Sequence, residues 1–175
     1  MRILAIDPGN VESAFVIYKD GVILEKGKLE NKIIVENILL NNKYRNLLSA
    51  EKCDHLAIEM VACYGMAVGK TVFDTCVWIG RFIQAWNNNH TQIYRKDVKM
   101  FLCNSVKAKD GNIRQAIIDK FPPTGDGKIP QVGTKKKPGP LFGVHDDIWA
   151  ALGVAMTFEN NLIDTNSIGS YETGR

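Results

Sequence analysis

Four carboxylates stand at places in this sequence where a charge has little to gain. Asp7 closes the apolar run Ile3-Leu4-Ala5-Ile6, and Glu59 interrupts Leu56-Ala57-Ile58 just before Met60. Asp146 and Asp147 directly precede the apolar stretch that begins at Ile148. Burying a bare carboxylate is costly, and a bound cation offsets that cost. Carboxylates gathered in one place repel one another unless a divalent ion joins them. Hard oxygen ligands of this kind select Mg2+ or Mn2+. Two such ions about 4 Å apart activate a water and stabilise the leaving oxygen of a phosphodiester, which is nuclease chemistry. Taken singly, the aspartates have structural uses: Asp7 before Pro8-Gly9 could start a turn, Asp146 could cap a helix, and Asp147 could complement its dipole. Glu59 has no such use, and with it the set reads as a site.

These carboxylates meet only if the elements that carry them do. Residues 2–7 read as a short buried strand, broken by the turn Pro8-Gly9-Asn10. Residues 13–18 and 22–29 read as two further strands joined at Asp20-Gly21, a strong hairpin signal, so the chain opens as a three-strand antiparallel meander. A helix over 32–48, a buried strand over 55–60, a helix over 72–87 and a short strand over 92–94 follow. Helices over 95–103 and 110–121 come next, and a final helix spans 145–158. The order β-β-β-α-β-α-β-α-α-loop-α predicts an α/β fold, a mixed five-stranded sheet with helices on both faces. If strands 2–7 and 55–60 are adjacent and parallel, Asp7 and Glu59 emerge at one edge of the sheet, where α/β proteins keep their ligand sites.

A length of 175 residues suits one compact domain. We expect it over 1–158, with a polar, frayed tail over 159–175. No segment approaches the roughly 20 apolar residues of a membrane span, and the first residues are interrupted too soon by Asp7 to be a signal peptide. Cys53, Cys63, Cys76 and Cys103 form no CxxC pair and have no histidine at zinc-site spacing. They read as reduced, mostly buried thiols of a cytoplasmic protein. The net charge of +3 is only mildly basic, so the placement of charge says more than its total.

Lys107 and Lys109 follow the short strand at 92–94. Lys128 and the run Lys135-Lys136-Lys137 lie on a Pro- and Gly-rich stretch, 122–143, directly before Asp146. Cations beside an acidic metal site suit contact with a phosphate backbone. We expect this long loop to order when it binds such a phosphate backbone. The segment Gly65 to Thr71, with Lys70, is one residue short of a phosphate-cradling loop and reads as a helix entry near DNA. His145 is a possible accessory to metal binding or protonation. Tyr64 and Phe73 could wedge into DNA, with core packing the safer assignment for Phe73.

The ordered set of motifs resembles the RuvC family of Holliday junction resolvases, particularly its small phage-type members. It comprises Ile3-Leu4-Ala5-Ile6-Asp7-Pro8-Gly9, Leu56-Ala57-Ile58-Glu59, Ile79-Gly80-Arg81, Arg95-Lys96-Asp97-Val98-Lys99, Ala108-Lys109-Asp110, and His145-Asp146-Asp147 running into Ile148 to Gly153. The resemblance implies an RNase H-like fold and a homodimer in the cytoplasm, or the host cytoplasm if phage-encoded. It implies cleavage of four-way DNA junctions with Mg2+ or Mn2+, two ions held by Asp7, Glu59, Asp146 and Asp147. The family's last motif carries its two acidic positions three residues apart; here Asp147 takes the first and Ala150 the second, so Asp146 is the remaining candidate for a fourth ligand. Two alternatives are another RNase H-like nuclease acting on branched DNA or RNA, and a non-catalytic junction-binding protein.

Overall fold

The computed structural model describes residues 1–43, 53–63, 65 and 67–169. Its elements follow the expected order. Strands β1 (Arg2–Asp7), β2 (Glu12–Lys19) and β3 (Val22–Glu30) precede helix α1 (Asn31–Lys43), strand β4 (His55–Met60) and helix α2 (Lys70–Trp86). Strand β5 (His90–Tyr94) then leads to helices α3 (Arg95–Cys103), α4 (Asp110–Asp119) and α5 (Ile148–Gly169). The sheet order is β3-β2-β1-β4-β5. The first three strands pair antiparallel, and β1-β4 and β4-β5 pair parallel. The β2–β3 turn is the one the sequence calls for: Asp20 and Gly21 both take positive φ, 49° and 81°, as a two-residue hairpin requires.

The period-2 alternation of the strands sorts two cores onto the two faces of the sheet. Leu4, Ile6, Leu56 and Ile58 face α1 and α2, meeting Ile34, Ile38, Ile79, Phe82 and Trp86. Ile3, Ala5, Ala14, Val16, Ala57 and Ile93 face α3, α4 and α5, meeting Val98, Ile117, Leu152 and Ala155. Helix α5 is the central piece on that second face: Ala151, Leu152, Val154 and Ala155 are wholly buried. Each fully buried Leu or Val there stabilises the fold by about 2 kcal/mol. Strand β3 is a mostly exposed edge, and its Glu25, Lys26, Lys28 and Glu30 protect it from pairing with other chains.

Four sequence-based expectations change. The final helix starts at Ile148 rather than His145 and runs on to Gly169, because Leu162 still packs against the α5 core. Phe73 is 60% exposed rather than packed in the core, since the buried stripe of α2 runs through Thr75, Ile79, Phe82, Ala85 and Trp86 instead. Of the cysteines, all four are free thiols as expected, but Cys53, Cys76 and Cys103 are half-buried and Cys63 is exposed. The 122–143 loop, expected to order on DNA, is already knit by its own backbone. Gly125 N–H donates to the Pro130 carbonyl at 2.8 Å, Leu141 N–H to Gln131 at 2.8 Å, and Thr134 N–H to Lys137 at 3.0 Å. This frame depends on bare backbone: a Cβ on Gly125 would stand 2.7 Å from Gly133 Cα and from Gly139 N. Tyr64, and the part of the expected first helix beyond Lys43, lie outside the described residues.

Candidate active site

Register decides which carboxylates meet. Strands β1 and β4 run parallel with Ile6 opposite Ile58, so Asp7 and Glu59 each stand one residue further on, at the carboxyl edge. Both continue the Ala5/Ala57 parity and so project onto the α5 face. The turn that releases the chain after Asp7 is held from below. Asn31 Nδ2 donates to the Gly9 carbonyl at 2.9 Å, and Gly9 N–H donates to Ser13 Oγ at 3.1 Å. The Ser13 hydroxyl in turn donates to Asn31 Oδ1 at 2.6 Å. Ser13 and Asn31 are each only 1% exposed, so every member of this small network is satisfied inside the protein. Gly9 itself is obligatory, because a Cβ there would run into the Glu12 carbonyl.

Asp147 is the third carboxylate of the cluster. It stands immediately before α5, and its carbonyl accepts from Ala150 N–H at 2.9 Å and Ala151 N–H at 3.1 Å, the first bonds of the helix. Its side chain does not cap the helix; Oδ2 accepts from Lys28 Nζ at 2.7 Å. Burial, then the charges of Glu59 and Asp147, push the Asp7 carboxyl up to about 7. Glu59 is raised too, again by burial first, against the lowering pull of Arg95. Ionising Asp7 and Glu59 together therefore works against the fold unless a cation is supplied.

Asp146 is not brought into this cluster. Its φ of +43° turns the chain through the left-handed region, and its Oδ2 pairs at 2.9 Å with His145 Nδ1 in solvent. Ala150, three residues after Asp147 in the first turn of α5, offers no side-chain oxygen. The structure thus gathers Asp7, Glu59 and Asp147, and leaves Asp146 and His145 on the flank.

Two cations that the sequence did not single out as site residues complete the arrangement. Arg95, the first residue of α3, points Nη1 at Glu59 Oε2, 3.7 Å away, while its Nη2 binds Asp110 Oδ1 at 2.6 Å. The Glu59 side chain is only 14% exposed, and both Glu59 Oε2 and Arg95 Nη1 are buried without a hydrogen-bond partner. The signal for Arg95 was its place directly after β5, on the parity of Ile93, which sits opposite Glu59. Lys28 stands on the other side, two strands away on the row of Asp7, a place that strand register sets and the local sequence does not announce.

The donors present are hard carboxylate oxygens, one of them orphaned, and they fit a divalent ion in kind. In position they are not yet closed: among the described residues, no three His, Cys, Asp or Glu side chains converge as a ready metal site. The candidate phosphate contacts Lys70, Lys107, Lys109, Lys135, Lys136 and Lys137 are all exposed. Lys70 opens α2. The other run, Lys135 to Lys137, sits at the tip closed by the Gly133–Pro138 bridge.

No protein-family model matches the chain, and no curated protein matches it. Solved structures do. RuvC of Thermus thermophilus aligns with a TM-score of 0.58 at 15% identity, over 90% of this chain and 92% of that one. The same protein in complex with a Holliday junction substrate aligns with a TM-score of 0.60, at the same identity and coverage. No helix among the described residues is long and apolar enough to cross a membrane. The five-stranded mixed sheet, clad by helices on both faces, is the RNase H-like α/β architecture, and this chain is RuvC-like in fold.

Proposed function

We propose that this chain is a metal-dependent endonuclease that cleaves four-way DNA junctions by phosphodiester hydrolysis. The observation that carries the reading is the pairing of Asp7 and Glu59 at the carboxyl edge of two parallel strands, with Asp147 delivered beside them by the start of α5. Asp7 and Glu59 would hold Mg2+ or Mn2+, with Asp147 as the third ligand and Asp146 within one residue of it. Bound there, the metal would activate a water and stabilise the leaving oxygen. Arg95 keeps Glu59 compensated and oriented. The exposed lysines, above all Lys135, Lys136 and Lys137 on their preformed loop, would take backbone phosphates.

Two cuts on a symmetric junction call for a two-fold assembly, and a homodimer supplies it. Phe73 and Val77, one turn apart on α2 and 60% and 62% exposed, support pairing through that helix with a second copy. Sedimentation of a Phe73→Asp, Val77→Asp variant tests this, and it is expected to run as a monomer. A protein of this design belongs in the cytoplasm, with DNA as its partner.

The test is cleavage of a synthetic four-way junction with Mg2+ or Mn2+, against duplex, flap and RNA–DNA hybrid controls. Selective, metal-dependent cutting that Asp7→Asn abolishes without loss of binding is the expected result. Equal cutting of all substrates would instead favour a broader nuclease. Ala150 gives specific weight to a second reading, a junction-binding protein that does not cut. Tight junction binding with no cleavage in either metal would select it.

A further inference from the structure

Lys28 stands at the far end of the row that carries Asp7. The registers Asp7–Ala14 and Ala14–Lys28 set three residues in line across β1, β2 and β3, on the face that α5 covers. With strands about 4.8 Å apart, only the Ala14 methyl separates the lysine stem from the buried carboxylate. From there Lys28 Nζ reaches Asp147 Oδ2 at 2.7 Å, and the two side chains are 37% and 54% exposed. Water therefore competes for both partners, and the pair is cheap to open. After Glu59, Asp147 is the second carboxylate whose charge is felt at Asp7. An ammonium on its Oδ2 occupies one of the carboxylate's lone-pair sites and holds the side chain toward β3, and its charge repels an incoming cation.

Building on the nuclease reading, we infer that Lys28 is the resident counter-ion of Asp147, which a divalent ion displaces, and that the freed ammonium then takes a phosphate of the DNA at the same edge. The exchange makes and breaks no covalent bond. One cation replaces another on Asp147, and the lysine passes from one anion to the next. Its flexible four-carbon stem and point charge suit both partners. Lys28 is thus a positioning and substrate-contact residue, and the site stays internally neutralised until metal and DNA are both present.

The test is calorimetric titration of Mn2+ into the DNA-free protein, comparing wild type with Lys28→Met, Lys28→Arg and Lys26→Met. Lys26 lies two residues earlier on the same strand face and controls for loss of a nearby positive charge. Lys28→Met is expected to bind Mn2+ about two- to fivefold more tightly, the range an exposed ion pair is worth. Lys28→Arg should stay near wild type, and Lys26→Met should move less than Lys28→Met. In Ca2+, the affinity of Lys28→Met for a four-way junction should fall. Unchanged or weaker Mn2+ binding by Lys28→Met, or an equal gain in Lys26→Met, would overturn the exchange while leaving the nuclease reading intact. Unchanged junction affinity would overturn the phosphate contact. If wild type and all variants fail to bind Mn2+, the metal-site reading itself falls, and the inference with it.

Discussion

The buried carboxylate at the end of β1 makes the metal-free protein less stable than it could be, and Asp7→Asn should reveal by how much. Asp7 is shifted from 3.8 to about 7, so at about 1.4 kcal/mol per pH unit its ionised form costs the fold about 4 kcal/mol. The sign follows from linkage: a carboxyl whose folded pKa is raised contributes stability that is complete below its unfolded value and lost as pH rises through its folded one. Wild type in EDTA should therefore lose stability between about pH 4 and about pH 8. Asparagine keeps the size and cannot ionise, but its amide must still be desolvated, which returns part of the gain. At about pH 8 the variant should be more stable than wild type by about 2–4 kcal/mol, a rise in Tm of about 5–15 °C for a chain of this size. At about pH 4, where wild-type Asp7 is itself neutral, the two should melt together. Differential scanning calorimetry at both pH values, with EDTA throughout, reads the effect directly. Adding Mg2+ or Mn2+ should then stabilise wild type and leave Asp7→Asn unmoved. If Asp7→Asn melts at or below wild type at about pH 8, the carboxylate is not under electrostatic strain and the reasoning fails.

The remaining expectations concern the supports of the site. Arg95→Met strands Glu59 beside Asp7 without its nearest cation; urea unfolding at neutral pH should show a loss of about 1–3 kcal/mol, partly restored by Arg95→Lys. Asn31→Ala leaves the Gly9 carbonyl without its donor and the Ser13 O–H without its acceptor; it should cost a similar amount in the same assay and lower junction cleavage by loosening the turn after Asp7. Replacing Lys135, Lys136 and Lys137 together by alanine should weaken junction binding alike for all sequences. It should also flatten the dependence of log affinity on log salt by about 0.9 for each phosphate no longer neutralised.

The order of elements was legible in the sequence because the signals are local: the Asp20-Gly21 turn, the alternation that sorts Ile3 from Leu4, and the apolar run of α5. The meeting of Asp7 with Glu59 was legible too, since two carboxylates ending apolar strands fix both their parity and their edge. Long-range partners were not. Nothing in the local sequence says that Lys28 crosses to Asp147, 119 positions away, because that contact depends on how β3 registers against β2. The Asp146-Asp147 pair shows the same limit at short range. Their identical chemistry hides a left-handed backbone at Asp146 that sends one side chain to His145 and the other toward the site. Phe73 misled because a helix with apolar residues on several faces does not announce which stripe is buried.

The lysine-tipped loop has a consequence for how such a protein can change. Its frame is built from glycine backbones in contact, so residues 125, 133 and 139 admit no side chain, whereas the lysines at the tip, Lys135, Lys136 and Lys137, are exposed. If the chain is the nuclease proposed above, phosphate contact and bond breaking would be lodged in separate parts of it. A lineage, or an engineer, can rewrite the tip's charge while the carboxylates, their registers and the core beneath them stay fixed, and each new tip arrives already held by the same backbone frame.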